Sequence, residues 1–137
     1  MSAFRRFVLA PPGASSEWAL AGLRIFFGLA MALGHGLNKF PVSPRWVQNV
    51  AALGFPLPVV FAWVATLSEL LGGLLLAAGL LTRVAAGSIA VTMAVAAFLA
   101  NGGVWKNAEL AFIFLVVSVF FFFHGGGKLS VDRWLSR

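Results

Sequence analysis

Residues 59–81 read VVFAWVATLSELLGGLLLAAGLL, an unbroken apolar run in which Glu69 is the one ionisable side chain. About 20 such residues, rising ~1.5 Å each in a helix, cross the ~30 Å hydrocarbon layer of a bilayer. Working outward, three further segments have the same character: Trp18 to Leu37, Val84 to Ala100 and Ala108 to Phe123. Only Thr82-Arg83 separates the second span from the third, and only Asn101 to Asn107 the third from the fourth, so consecutive helices are antiparallel neighbours. No irregular backbone then needs to face lipid. The fold class this predicts is all-α: an integral membrane, antiparallel four-helix transmembrane bundle, a single domain over 1–137.

Composition agrees. Apolar residues make up 61% of the chain and charged ones 10%, with a mean hydropathy of +0.95, against about a quarter charged in soluble domains. A soluble body of 14.5 kDa has no interior large enough to hide 14 Phe and 5 Trp. The absence of Cys excludes disulfides, thiolate-held iron–sulfur clusters and any thiol relay within this chain. The net charge of +6 and pI near 11.6 read as topology information and attraction to anionic lipid head groups, because the charges sit at segment ends; nucleic acid is not the expected partner.

Loop Lys and Arg set the orientation. Arg5, Arg6, Arg83, Lys128, Arg133 and Arg137 fall on one side, and Lys39, Arg45 and Lys106 on the other, which places both termini in the cytoplasm. Arg5-Arg6 is followed by too short an apolar run for a cleavable signal and reads as a retained basic anchor. Trp18, Trp46, Trp63, Trp105 and Trp134 lie near span ends, as interfacial anchors do. In the first outer loop, Ser43 as a cap and Pro44 at the first helical position predict a short interfacial helix over Pro44 to Leu53. Gly125 to Gly127 stops the fourth span, and Ser130 with Asp132 caps a final short turn.

Ionisable residues inside spans are costly and are functional candidates by default. Here they are Arg24, His35, Glu69, Glu109 and His124, with Lys39 at a span end. At ~100° per residue Arg24, His35 and Lys39 share one stripe, beside a ridge of Gly28, Ala32 and Gly36 that admits a neighbouring backbone. Ala62, Thr66, Glu69 and Gly73 form a matching face on the second span. Depth counting pairs Arg24 with Glu69 and gathers His35, Lys39 and Glu109 into an outer cluster. These pairs either fix helix register or line a functional cavity. The two His lie on opposite sides, too far apart to share one haem, and the Phe120 to Phe123 run reads as lipid-facing and core surface.

The runs Gly36-Leu37-Asn38-Lys39-Phe40, Gly54-Phe55-Pro56-Leu57-Pro58, Glu69-Leu70-Leu71-Gly72-Gly73 and Gly79-Leu80-Leu81-Thr82-Arg83, followed by the Gly-rich stretch before Ser130-Val131-Asp132, resemble the DoxX family of small bacterial inner-membrane proteins. The resemblance covers about Trp18 to Asp132 and departs from it at Gly125-Gly126-Gly127, where many relatives have Gly-Pro-Gly. It implies an inner-membrane location and association with membrane redox complexes, since the related DoxD proteins belong with a thiosulfate:quinone oxidoreductase. Arg24, Lys39, Glu69, Arg83 and Glu109 carry over as motif residues, with no catalytic role attached.

The expected function is a membrane subunit of a redox complex, itself at most a non-thiol part of an oxidoreductase, holding a quinone between helices. Arg24, His35, Lys39, Glu69 and Glu109 would supply the donors and the proton path. No metal or flavin site is readable. The alternatives are a small proton-coupled transporter working through Glu69, which as a four-helix unit would act as a homo-oligomer, and a non-catalytic anchor or assembly protein.

Overall fold

The computed structural model describes Leu9 and residues 13–137; the Arg5-Arg6 anchor lies outside the described residues. Helix α1 (Ala14–Met31) continues through a π-helical turn, Ala32–Gly36, and a 3-10 turn, Leu37–Lys39. Then come α2 (Pro44–Ala52), α3 (Pro58–Ala78), α4 (Thr82–Ala94) prolonged by a second π-helical turn (Val95–Ala100), α5 (Trp105–His124) and α6 (Val131–Leu135). Among the described residues there is no strand. Among these residues four helices are long and apolar enough to cross a membrane: Ser15–Lys39, Pro58–Ala78, Thr82–Ala100 and Trp105–His124. The all-α membrane bundle is therefore as the sequence indicates, with shifted ends.

Local chemistry explains the ends. The second span stops at Ala78 rather than Leu81 because Gly79 turns to φ +71°, with its N–H donating to the Leu76 carbonyl and that of Leu80 to the Leu75 carbonyl, a Schellman arrangement that needs no Cβ at the left-handed position. Pro44 and Pro58 open α2 and α3, where a missing N–H is harmless. Ser43 caps α2 by accepting from the Trp46 N–H.

Neighbours pack in chain order. α3 lies between α1 and α4, α5 packs chiefly on α4, and the apolar centre is Met31, Leu76, Ala86, Ile89, Phe114 and Phe121. The outside is as apolar as the inside: Phe26, Val116 and Phe123 are 69%, 67% and 73% exposed. That inverts the soluble pattern and suits a lipid solvent.

The α1–α3 seam fixes the register of everything polar. A Cβ on Gly28 would lie 2.5 Å from the Ala77 nitrogen and the Gly73 oxygen, one on Gly36 would lie 2.5 Å from the Leu70 nitrogen, and one on Gly73 would lie 2.6 Å from the Gly28 oxygen. Backbone cannot yield to such contacts, so these glycines let the two helices touch along the ridge read from the sequence. Two levels follow from the seam: Arg24 lies beside the C-terminal end of α3, and Lys39 beside its middle.

Candidate functional site

At the middle of α3, Lys39 Nζ donates to both Glu69 carboxylate oxygens, at 2.6 and 2.7 Å. Glu69 is 1% exposed and the Lys39 side chain 27%. The Trp46 ring covers the ammonium, its centroid 4.7 Å from Nζ, a cation–π contact that strengthens as water is excluded. Trp46 is itself held by its indole N–H, which points at Thr66 Oγ1 (3.2 Å) and the Ala62 carbonyl (3.3 Å). Thr66 in turn donates to the Ala62 carbonyl. The capped α2 thus folds against α3 and presents one aromatic face to one buried ion pair.

Above the pair lies a cavity of about 500 Å³ between α2, α3 and α4. Its walls are mostly apolar, among them Val50, Phe61, Val64, Val91 and Val95, and its polar lining is confined to Lys39, Trp46, Asn49, Glu69 and Thr92. Thr92 is already engaged with Ser68 Oγ and the Ser88 carbonyl. An apolar pocket with a few convergent polar groups is the usual form of a small-molecule site.

The expected Arg24–Glu69 pair does not form. Arg24 is buried but donates to the Gly126 carbonyl, to the Leu129 carbonyl at 2.9 Å and, at 3.5 Å, to that of Ala77. The depth count failed because it levelled the two spans by their ends, whereas the glycine seam sets Arg24 against Ala77, eight residues or ~12 Å along α3 from Glu69. Nor does the single stripe survive. The π-helical turn adds a residue to the helical repeat before Lys39, so Lys39 turns to α3 while His35 packs edge-on against Phe114 of α5, centroids 5.3 Å apart. The outer cluster is likewise not assembled: Glu109 is exposed and, among the described residues, has neither an ion pair nor a hydrogen bond. His124 stacks on Phe120 at the terminal end. Arg83 is exposed and reaches the Phe123 carbonyl at 3.4 Å.

Arg24 belongs to a second polar centre that ties the C-terminal segment to the bundle. Asp132 accepts from the N–H groups of Leu81 (2.7 Å) and Thr82 (2.9 Å), capping α4 from fifty residues away, while its own N–H donates to the Gly79 carbonyl. Ser130 caps α6 as expected; Asp132 instead serves α4, whose Ncap position is occupied by Leu81, a residue without a capping oxygen. Burial pushes the Asp132 carboxyl up, but Thr82, the Leu81 N–H and the Arg24 guanidinium outweigh it and hold it below the ordinary value of 3.8. The Thr82 hydroxyl stands nearby without completing a hydrogen bond of its own, so the amides are the contacts that matter. A lowered carboxylate stabilises the fold above its unfolded value and loses that contribution as pH falls through the folded one. Stability in detergent should therefore decline below about pH 4, and Asp132→Asn should be less stable than the parent at pH 7 and should converge with it as the solution is acidified. A gap that stayed constant with pH would contradict this role.

Sequence reading missed Trp46 as a site residue, taking it for an interfacial anchor, and missed Asp132 as a cap for α4. Trp46 carried a legible signal: three residues after the Ser43 cap, it must lie on the first turn of α2.

A family model for DoxX matches residues 19–102, a span that contains the whole wall of the cavity from Lys39 to Ala100. The chain belongs to the DoxX family. Its DoxX relatives include a Bacillus subtilis protein named "Putative oxidoreductase CatD", 30% identical over 117 residues that cover 84% of this chain and 85% of that one. An uncharacterized Haemophilus influenzae protein is 34% identical over 128 residues, covering 83% of this chain and 88% of its own. No solved structure matches this DoxX chain.

Proposed function

We propose that this DoxX protein is a membrane subunit of a redox complex and holds a quinone head group in the cavity between α2, α3 and α4. The observation that carries this reading is an apolar cavity of about 500 Å³ whose base is the Lys39–Glu69 ion pair. A quinone ring needs apolar walls, donors for its two carbonyl oxygens and a source of protons. Lys39 Nζ donates to one oxygen on exchanging one of its two bonds to Glu69, and the exposed Asn49 amide serves the other at the rim. Reduction of a quinone to a quinol takes two electrons and two protons: the electrons come from another subunit, Lys39 with Glu69 passes one proton to the oxygen it holds, and the oxygen at the exposed Asn49 rim takes the other from water. The oxidoreductase name of the Bacillus subtilis relative points the same way.

The seat of this reaction is the bacterial cytoplasmic membrane, with both termini inside. Lys39 sits at the base of the cavity and drops out of the loop count, which leaves Arg45 and Lys106 against the six positive residues of the other side. The proton-coupled carrier reading draws on the same Glu69, but the glycine seam between α1 and α3 closes the bundle on the far side of it. A one-sided cavity favours binding over transport.

The test is a titration of the protein in lipid nanodiscs with a short-chain quinone, read by tryptophan fluorescence, since Trp46 lines the cavity. Saturable quenching is expected, and it should vanish in the Lys39→Met, Glu69→Leu double variant. Quenching that does not saturate, or that the double variant retains, would sink the proposal.

A further inference from the structure

The cavity is peripheral to the bundle, and its wall reaches the lipid. Of the lining residues, Val91 is 67% exposed and Val64 56%. Val91 is nine residues from either end of the span Thr82–Ala100, so ~13 Å of helix lies on each side of it. Val64 lies six residues into α3, ~9 Å from its start. An opening framed by these two side chains is inside the hydrocarbon layer and not at the head groups. Among the described residues no charged side chain other than the Lys39–Glu69 pair lines the cavity, so none of them would hold the water shell of a polar solute arriving by that route. The cavity is thus polar at its base and apolar at a side opening.

We infer that the ligand is a long-tailed amphiphile that enters sideways from the hydrocarbon layer, its head group on Lys39 and Glu69 and its isoprenoid-type tail leaving between α3 and α4 past Val64 and Val91. These two valines set the width of the opening and so select for the tail, not the head group. The inference rests on the quinone reading but is separable from it, because the head group and the tail touch different residues. A tailless head group fits the base whether or not the side opening is clear, whereas a tailed one has to pass it. Larger side chains at positions 64 and 91 therefore act more strongly on the tailed ligand than on the tailless one.

The experiment compares two quinones with the same head group, one short-chain and one carrying a long isoprenoid tail, each titrated into nanodisc-embedded protein with tryptophan fluorescence as the readout. The parent should bind both. Val64→Phe with Val91→Phe should weaken the long-tailed quinone about tenfold or more beyond whatever change it causes in the short-chain one, as overfilling a packed opening does. Both positions are exposed, so the double variant should fold, and its thermal midpoint checks that it does. Val116→Phe, equally exposed but on α5 away from the cavity, should change neither affinity. Equal weakening of both quinones, or unchanged binding of the long-tailed one, would overturn lateral passage while leaving the head-group site standing. A parent that binds neither would overturn the head-group reading, and this inference with it.

Discussion

Lys39→Met is expected to cost about 3 to 5 kcal/mol of stability, because it strands a carboxylate that is 1% exposed in a low-dielectric interior. Glu69→Leu should cost less, since the Lys39 side chain is 27% exposed and can turn its ammonium towards the polar boundary on its long apolar stem. The double variant should be milder than Lys39→Met alone, because two apolar side chains need neither hydration nor each other. Thermal unfolding of the four proteins in one detergent gives the coupling energy directly. Stability and function then separate. If the pair only fixes the packing of α1 on α3, the double variant should recover both folding and the activity of the intact protein in a deletion strain. If Glu69 and Lys39 pass protons to a bound quinone, it should fold and stay inactive, since neither Met nor Leu exchanges a proton. A Lys39→Met protein as stable as the parent would mean that the contact contributes nothing to the fold.

Hydropathy and small-residue spacing made the bundle legible because both are properties of a helix alone. A run such as residues 59–81 has few other fates, and Gly28, Ala32 and Gly36 had to lie against another backbone wherever that backbone was. Which polar residues meet was not legible to the same degree, because it depends on how far one helix slides along another. The register of the glycine seam and a single π-helical turn set Arg24 and Lys39 against different neighbours. The sequence named Lys39 and Glu69 as residue types out of place in lipid, but it paired Glu69 with Arg24, whereas the structure pairs it with Lys39. Long-range caps are harder still. Asp132 and the N–H of Thr82 are fifty residues apart, and nothing local to either indicates the other.

Arg24→Met should produce the other large effect, at the opposite end of the bundle. The guanidinium is 2% exposed and bridges three strands of chain, donating to Gly126 and Leu129 in the closing segment and to Ala77 at the end of α3. Hydrogen bonds from a charged donor are worth about 1.5 to 3 kcal/mol each, and the bond to Ala77 is long, so losing the other two should cost about 3 to 6 kcal/mol against a total stability of only about 5 to 15. The charge that helps hold Asp132 ionised goes with them, which weakens the cap on α4. Arg24→Lys should not rescue, because a single ammonium lacks the planar fork that reaches the carbonyls of residues 126 and 129 together. The closing segment should then lift from the bundle before the spans unfold, so trypsin should cut after Lys128 faster in both variants than in the parent. Quinone binding at Lys39 and Glu69, several helical turns away, should persist in Arg24→Lys under conditions where its spans remain folded. An Arg24→Lys protein with parental stability and parental cleavage would show that charge alone, not the geometry of the guanidinium, holds this end together.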